Sequence, residues 1–328
     1  MTTGGFERLT GSGRLPQRLR GGVVAIGNFD GVHRGHQAVL ERALVEARAR
    51  GVPALVLTFE PHPRAVFRPD IRLPRITPAP VKARLVRLLG FDALVEQPFT
   101  RDFAGQSADD FIDGVLLGQL GVSHVVTGFD FHFGKNRQGD PAFLVAAGKD
   151  RGFGVTQVEA FCDEGGEAVS SSRIRALLEA GDVSQAAGLL GYRFTVEGEV
   201  VHGKKLGRTL GFPTANMIMP EDAVLRHGIY AVRLRRPNGD LHDGVASFGR
   251  RPTVESEGEP LLETYVFDFA GDLYHEICDV SFFGFLRGEE KFDGLDALLA
   301  QMQRDKEEAR ALLSDVRPLS ELDQRLAF

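Results

Sequence analysis

The stretch GNFDGVHRGHQAVL, from Gly27 to Leu40, stands between a strand-like pattern and a helix-like pattern. Val23–Ile26, directly before it, is a short β-branched run that predicts a strand. Apolar residues at helical spacing follow over 38–47, and Gly51 is expected to end that helix. A strand that passes into a helix in this way is typical of a mostly parallel sheet, and such sheets bind ligands at the carboxyl ends of their strands.

Composition places the chain among ordinary globular proteins, with 43% hydrophobic and 26% charged residues and a net charge of −6. Its 328 residues predict about two domains. The acidic balance disfavours bulk binding to nucleic acid or to a membrane. Two distant cysteines, Cys162 and Cys278, argue against a disulfide scaffold or a zinc site. The apolar stretches are too short to span a bilayer and the N-terminus lacks a signal-peptide core, so we expect a cytoplasmic protein.

The pattern along the chain predicts two parts. Strand-like and helix-like segments alternate at first, with Ser107 as the expected cap of a helix that runs to Leu120. From Tyr192 onward, closely spaced strands and an Asn238-Gly239 hairpin signal predict a small antiparallel barrel or sandwich, and a long helix over 295–313 follows. We therefore expect an α/β domain over residues 1–188 and a β domain over residues 189–328.

Two histidines in the opening stretch favour phosphate chemistry. His33 and His36 are three apart, which places them on one face of a helix that begins there. A helix start offers free N–H groups, and an imidazole can donate a hydrogen bond to an oxygen that gains charge during phosphoryl displacement. A surface histidine pair with structural glycines explains the same letters equally well. Metal ligation is a third interpretation, weakened because no cysteine or third histidine lies near in sequence.

Two further segments favour a nucleotide site. AVSSSRIRALLEAG, over 168–181, places serines at a helix start and Arg173 and Arg175 just behind them. Serines there are ordinary helix caps, whereas cations in a first turn oppose the helix dipole unless they face a polyphosphate. TGFDFHFGKNRQG, over 127–139, follows a buried strand and resembles a loop that contacts an adenosine group, although an ordinary glycine-rich surface loop is the alternative.

The stretch GKKLGRTLGFPTANM, over 203–217, indicates a second phosphoryl-transfer site. No Walker A pattern occurs in the sequence, so such a site must be of another kind. Thr214 and Asn216 are two apart and point to the same side of an extended segment. Their hydroxyl and amide oxygens suit a magnesium ion that carries ATP phosphates. A glycine-rich connection between barrel strands is the alternative.

These elements in this order resemble the bacterial bifunctional riboflavin kinase/FAD synthetase family: GNFDGVHRGHQ, TFEPHP, GFDFHFGKNRQG and VSSSRIR, followed by LGFPTAN, its riboflavin kinase signature. The resemblance covers roughly Val23 to Ala309. It implies a Rossmann-like nucleotidyltransferase domain that transfers AMP from ATP to FMN and releases pyrophosphate. It also implies a β-barrel domain that phosphorylates riboflavin with ATP and Mg²⁺.

The resemblance also implies roles for individual residues. In the adenylyltransferase, His33 and His36 are catalytic, and ATP contacts fall on Gly27, Asn28, Phe29, Asp30, Gly31, His33, His36, Asp130, Ser171, Ser172, Arg173 and Arg175. In the kinase, Glu263 is the general base on the ribityl 5′-hydroxyl and Thr214 and Asn216 bind magnesium. Its ATP and flavin contacts fall on Gly203, Lys204, Gly207, Gly211, Pro213, Thr214, Asn216 and Arg287.

The sequence departs from the family pattern at two places and leaves two other functions open. Ser247 stands where the family often has Asn, and His275 stands where it usually has Gly. One alternative is a single-activity adenylyltransferase with a passive C-terminal flavin-binding module. The other is a flavin-responsive regulatory or RNA-binding protein, for which the acidic balance offers no basic stripe. Oligomeric state is not indicated.

Overall fold

The computed structural model describes residues 5–11, 13–71, 73–203, 210–250 and 258–328. Contacts divide the chain into two compact units, Met1–Leu73 with Thr77–Ser170 and Pro74–Ile76 with Ser171–Phe328. The helices that follow Ser171 are therefore grouped with the second unit, whereas residue 188 stays our prediction for the boundary of the two functional domains.

A parallel sheet forms the centre of the first unit, as predicted. Its strands are β1 (Glu7–Thr10), β2 (Val23–Ile26), β3 (Ala54–Glu60), β4 (Ala93–Pro98), β5 (His124–Gly128) and β6 (Gly154–Val158). They lie in the order β1-β4-β3-β2-β5-β6, and each pairing is parallel. The chain winds from β2 towards β4 in one direction and towards β6 in the other. The order thus reverses between β2 and β5, which is where open α/β sheets bind their ligands.

Helices cover both faces of this sheet. They are α1 (Arg34–Arg50), α2 (Pro63–Phe67), α3 (Ala79–Leu89), α4 (Arg101–Ala104), α5 (Ala108–Asp110), a π-helix (Phe111–Leu120) and α6 (Pro141–Arg151). Ser107 caps α5 as predicted, through reciprocal hydrogen bonds with Asp110. The helix expected as far as Leu120 is confirmed, and from Phe111 onward it is wound as a π-helix. Apolar spacing alone does not distinguish the two windings.

The core of the first unit lies between these layers. Leu57 and Val95 point to the sheet face that packs against Leu116 of the π-helix and Leu144 of α6. Each of these side chains is at most 1% exposed. Burial of one such leucine stabilises the fold by about 1.5–3 kcal/mol. The polar residues at the carboxyl ends of β2, β3 and β5 are held on this rigid layer.

The second unit is a nearly closed antiparallel barrel with helices. Its strands are β7 (Thr195–Glu199), β8 (Thr214–Ile218), β9 (Gly228–Arg235), β10 (Leu241–Arg250), β11 (Pro260–Val266) and β12 (Ile277–Arg287). They lie in the order β7-β12-β9-β10-β11-β8. Val201, just after β7, bridges Asn216 on β8 and so brings the two outer strands together. Of the predicted barrel or sandwich, the barrel is the one that forms.

Four helices of the second unit are α7 (Ser171–Ala180), α8 (Val183–Leu190), α9 (Leu295–Asp315) and α10 (Glu321–Ala327), among the residues that the structure describes. The long helix predicted after the barrel is confirmed. α10 is not expected from the sequence. Its Asp323 is fully buried and accepts hydrogen bonds from the backbone N–H and the guanidinium of Arg193, both at 2.7 Å.

Candidate active site

The turn after β2 has an unusual backbone. Phe29 (φ 48°), Gly31 (φ 94°) and Val32 (φ 39°) all lie in the left-handed region. For a β-branched residue such as Val32 this conformation costs about 1–3 kcal/mol, so the surroundings must hold it. The turn also lies at the sheet position where the strand order reverses. Strain at such a place is common in ligand-binding sites.

Side chains from three elements hold this turn. Gly31 N donates to Oγ1 of Thr77 at 2.9 Å, and Thr77 N donates to Oδ1 of Asp30 at 3.1 Å. The amide of Gln37 on α1 donates to the carbonyl of Val32 at 2.7 Å. Asp30 is only 2% exposed, so its carboxylate fastens the turn to the residue before α3. The ATP contact predicted for Asp30 stays a prediction.

His33 caps helix α1. Its Nδ1 accepts a hydrogen bond from the backbone N–H of His36 at 3.3 Å. Because Nδ1 is the acceptor in this contact, a neutral ring carries its proton on Nε2. The two imidazoles stack with their centroids 3.6 Å apart and 17° between their planes. The predicted pair thus forms one block at the start of the helix.

His36 is a half-buried imidazole that contacts two aromatic rings, His33 and Phe29. Phe29 packs edge-on against it, with centroids 5.4 Å apart. Among the described residues, its buried Nδ1 has no hydrogen-bond partner. Burial, together with the charges of His33 and Lys82, holds the pKa of His36 well below its usual range. The ring is therefore neutral at pH 7.

The second predicted ATP segment begins close to this helix start. A Cβ on Gly35 would lie 3.5 Å from the carbonyl oxygen of Val169, which is an ordinary contact distance, so Val169 lies next to the first turn of α1. α7 begins two residues later, at Ser171. Within the second unit, Arg173 is half-buried, and Arg175 is buried and donates from Nε to the carbonyl of Pro74 at 2.7 Å.

The loop after β5 carries the predicted Asp130. β5 is the direct neighbour of β2, so this loop and the histidine turn both leave the sheet on the side where the strand order reverses. Asp130 is exposed, and the preceding Phe129 is 50% exposed. The sequence analysis did not select Phe129 as a site residue, although the aromatic residue in the GFDF motif could have indicated it. An exposed ring at this edge offers a surface for a flat ligand.

In the second unit, the predicted kinase residues meet on two neighbouring strands. Asn216 on β8 is paired directly with Glu263 on β11, and Thr214 is paired with Tyr265 two residues further along. Paired residues in an antiparallel sheet point to the same face. The intervening Thr264 is fully buried in the barrel interior. Thr214, Asn216 and Glu263 therefore share the outer face.

A close backbone approach accompanies Asn216. A Cβ on Gly203 would lie 2.7 Å from Nδ2 of Asn216, so only glycine permits the chain to pass there. The same Nδ2 donates to the carbonyl of Thr214 at 3.0 Å, which orients the amide. Gly211 has a left-handed backbone with φ 80° and Pro213 directly precedes β8. The predicted Lys204 and Gly207 lie outside the described residues.

Arg287 has a carboxylate partner on helix α9. Its Nε and Nη2 donate to the two oxygens of Asp305 at 2.9 and 2.7 Å, and this pairing raises the pKa of Arg287. The bidentate pair fastens β12 to α9. The flavin or phosphate contact predicted for Arg287 stays a prediction.

A cavity of about 450 Å³ in the second unit does not coincide with the predicted kinase residues. Its two arginines, Arg233 and Arg310, are paired with Asp243 and Asp268. Within the described ranges, no cluster of three or more His, Cys, Asp or Glu could hold a metal ion. No helix in this same part of the chain is both long enough and apolar enough to cross a membrane.

Comparisons with known proteins match both units. A sequence model of the FAD synthetase family matches residues 15–173, and one of the riboflavin kinase family matches residues 190–313. The bifunctional riboflavin kinase/FMN adenylyltransferase of Escherichia coli (strain K12) is 40% identical over 298 residues, covering 91% of this chain and 95% of that protein. The protein of the same name from Pseudomonas fluorescens is 42% identical over 313 residues, covering 94% and 98%.

A solved structure supports the arrangement within each unit. The crystal structure of a protein from Streptococcus pneumoniae that is named a macrolide-efflux protein has a TM-score of 0.81 and 30% identity, and it covers 93% of this chain and 98% of that one. That name belongs to the Streptococcus pneumoniae protein alone. The riboflavin kinase match over the barrel argues against a passive C-terminal module. These matches together span both units, and they show that the chain belongs to the family of bifunctional riboflavin kinases/FMN adenylyltransferases.

Proposed function

We propose that the first unit transfers AMP from ATP to FMN at the turn after β2, and that the second unit phosphorylates riboflavin beside β8 and β11. The observation that carries the first assignment is the stacked pair of His33 and the neutral His36 at the reversal of strand order. The observation that carries the second is the direct pairing of Asn216 with Glu263.

Adenylyl transfer needs charge stabilisation more than a base. An oxygen of the FMN phosphate attacks the α-phosphorus of ATP, a new P–O bond forms, and the bond to pyrophosphate breaks with its electron pair. The nucleophile is already ionised, so no proton has to be removed. The imidazoles of His33 and His36 are proposed to donate hydrogen bonds to phosphate oxygens as charge develops. Their stacking at the start of α1 supports this role. The ATP contacts predicted for Arg173 and Arg175 in the second unit stay predictions.

Riboflavin phosphorylation needs a proton acceptor. Glu263 is proposed to take the proton of the ribityl 5′-hydroxyl as its oxygen attacks the γ-phosphorus of ATP. Thr214 and Asn216 offer a hydroxyl and an amide oxygen on the same face, and the bare Gly203 backbone leaves room beside Asn216. This donor set suits a hard cation, and Mg²⁺ bound there supplies neutralisation of the phosphate charge.

Separate loss of the two activities tests this assignment. Purified protein is incubated with riboflavin, ATP and Mg²⁺, and the flavins are separated by chromatography. We expect His36→Ala to lower FAD formation about 100- to 1,000-fold and to leave FMN formation unchanged, because one charge-stabilising group is lost. Glu263→Gln should stop FMN formation while FAD still forms from added FMN. Equal loss of both activities in either folded variant contradicts the assignment.

A further inference from the structure

Lys82 on α3 is a lysine whose side chain has no exposed surface. Burial of an ammonium group is costly unless close partners replace the lost water. Its Nζ donates to Oε1 of Glu60 at 2.9 Å and to Oγ1 of Thr58 at 3.1 Å, and both partners lie at the carboxyl end of β3. A leucine at position 82 would fill the same face of α3 without the desolvation cost of an ammonium group. The presence of lysine there indicates a functional role for its charge at the carboxyl end of β3.

The hydroxyl of Thr58 connects Lys82 to the turn after β2. An ammonium group only donates hydrogen bonds, so Oγ1 of Thr58 must be the acceptor in their contact. The single hydroxyl hydrogen then points elsewhere, and it is donated to the carbonyl oxygen of Asn28 at 3.1 Å. Asn28 directly precedes Phe29, the first left-handed residue of the turn. Lys82 thus fixes the direction in which Thr58 donates.

The ammonium group is also close to the histidine block. The charge of Lys82 is one of the causes that lower the pKa of His36, after burial and the charge of His33. Because Nζ is covered by protein, Lys82 acts on a bound substrate only through its neighbours. The turn that it supports carries two non-glycine residues, Phe29 and Val32, in a conformation that needs external support.

We propose that Lys82 is a positioning residue for adenylyl transfer: through Thr58 it fixes the carbonyl of Asn28 and thereby the turn that presents His33 and His36. The inference rests on the proposed adenylyl-transfer site and goes beyond it, since Lys82 belongs to none of the sequence motifs that suggested that site. Loss of the contact lets the turn relax, and a misplacement of about 1 Å can lower a rate about 100-fold.

The decisive experiment measures kcat and KM for FMN adenylylation in Lys82→Met, Thr58→Val, Thr58→Ser and the Lys82→Met/Thr58→Val double variant. We expect Lys82→Met and Thr58→Val each to lower kcat up to about 100-fold with little change in KM for ATP, because positioning is lost rather than binding. The double variant should be no slower than the slower single variant, since both break one connection. Thr58→Ser keeps the hydroxyl and should restore activity.

Controls separate this inference from the proposed site. Arg87→Met removes an exposed cation from the same helix and should behave as wild type, and riboflavin phosphorylation by the second unit should be unchanged in every variant. A normal kcat in Lys82→Met, or multiplied losses in the double variant, overturns the positioning role. If Lys82→Met does not fold, the difference between Thr58→Val and Thr58→Ser decides alone. FMN adenylylation by His36→Ala is measured in parallel. Full activity of His36→Ala refutes the proposed site itself. If His36→Ala is inactive while Lys82→Met has a normal kcat, only the role of Lys82 is refuted.

Discussion

At the scale of single residues, His36 shows how burial prepares a side chain for a ligand. Its ring lies against His33 and Phe29, and its Nδ1 has no partner among the described residues. A buried nitrogen without a hydrogen-bond partner costs about 1–3 kcal/mol, which the surrounding fold must offset. A neutral ring also keeps one N–H for donation at physiological pH, because its pKa is held low by burial.

The lowered pKa of His36 makes the stability of the first unit depend on pH. In the unfolded chain His36 binds a proton below about pH 6.5, whereas in the folded chain it does so only at much lower pH. The unfolded state therefore binds more protons on acidification, and stability falls as the pH drops below 6.5. Between pH 7.5 and 5.5 we expect His36 to contribute a loss of about 1 kcal/mol.

Calorimetry at these two pH values checks this expectation against His36→Gln, which cannot titrate. The fall in the free energy of unfolding should be smaller in the variant. His124, whose pKa is also lowered by burial, contributes equally to both proteins and cancels in the difference. An identical fall in both proteins contradicts the burial argument.

Sequence motifs predicted which residues gather at the sites better than what each side chain does there. Asp30 and Arg287 were both predicted as ligand contacts, yet their side chains are paired with Thr77 and Asp305. Those partners lie on other elements, so their presence is set by packing and not by local sequence. Lys82 lies in none of the sequence motifs, and its proposed role is inferred only from its burial and its contact with Thr58.

At the scale of elements, patterns with strong local signals were predicted well. The Ser107 cap and the Asn238-Gly239 turn both occur where expected, with Gly239 at φ 96°. The bounds of single strands were not predicted at this level: β11 lies at Pro260–Val266. Pairing with β8 and β10 fixes the register of this strand, and the two partners cannot be read from the sequence of the strand itself. The short β1 and α10 carry too few apolar repeats to be predicted.

Helix α10 is held by one buried ion pair, which gives a prediction at the element scale. Asp323→Ala leaves Arg193 buried without its carboxylate partner, since Asp323 accepts from both its backbone and its guanidinium. Loss of one partner of a buried pair costs about 3–5 kcal/mol. Urea unfolding should show this loss in the barrel transition. Glu321→Ala, an exposed carboxylate on the same helix, is the matched control and should change little; equal effects of the two variants argue against the ion pair.

At the scale of the whole molecule, the change of pattern near residue 190 was enough to predict an α/β unit followed by a barrel. Alternation of strand and helix requires crossover connections and hence a parallel sheet, whereas short connections permit antiparallel pairing only. Strand spacing alone does not distinguish a barrel from a sandwich, because the Val201–Asn216 bridge joins outer strands whose pairing leaves no local signature. The family resemblance implied the barrel, and the structure confirms it. Two separate sheets in turn imply two separate sets of reacting groups.

Two such sets in one chain should complement each other between molecules. His36→Ala retains the proposed kinase residues, and Glu263→Gln retains the proposed adenylyl-transfer residues. FMN is the product of riboflavin phosphorylation and the substrate of adenylyl transfer. A mixture of the two variants with riboflavin, ATP and Mg²⁺ should therefore form FAD after a lag while FMN accumulates. Each variant alone should form little FAD from riboflavin, and the lag should shorten as Glu263→Gln is added in excess. A mixture that accumulates FMN but forms no FAD means that FMN made by one molecule does not reach the adenylyl-transfer site of another, and the reactions would then have to be coupled within a single chain.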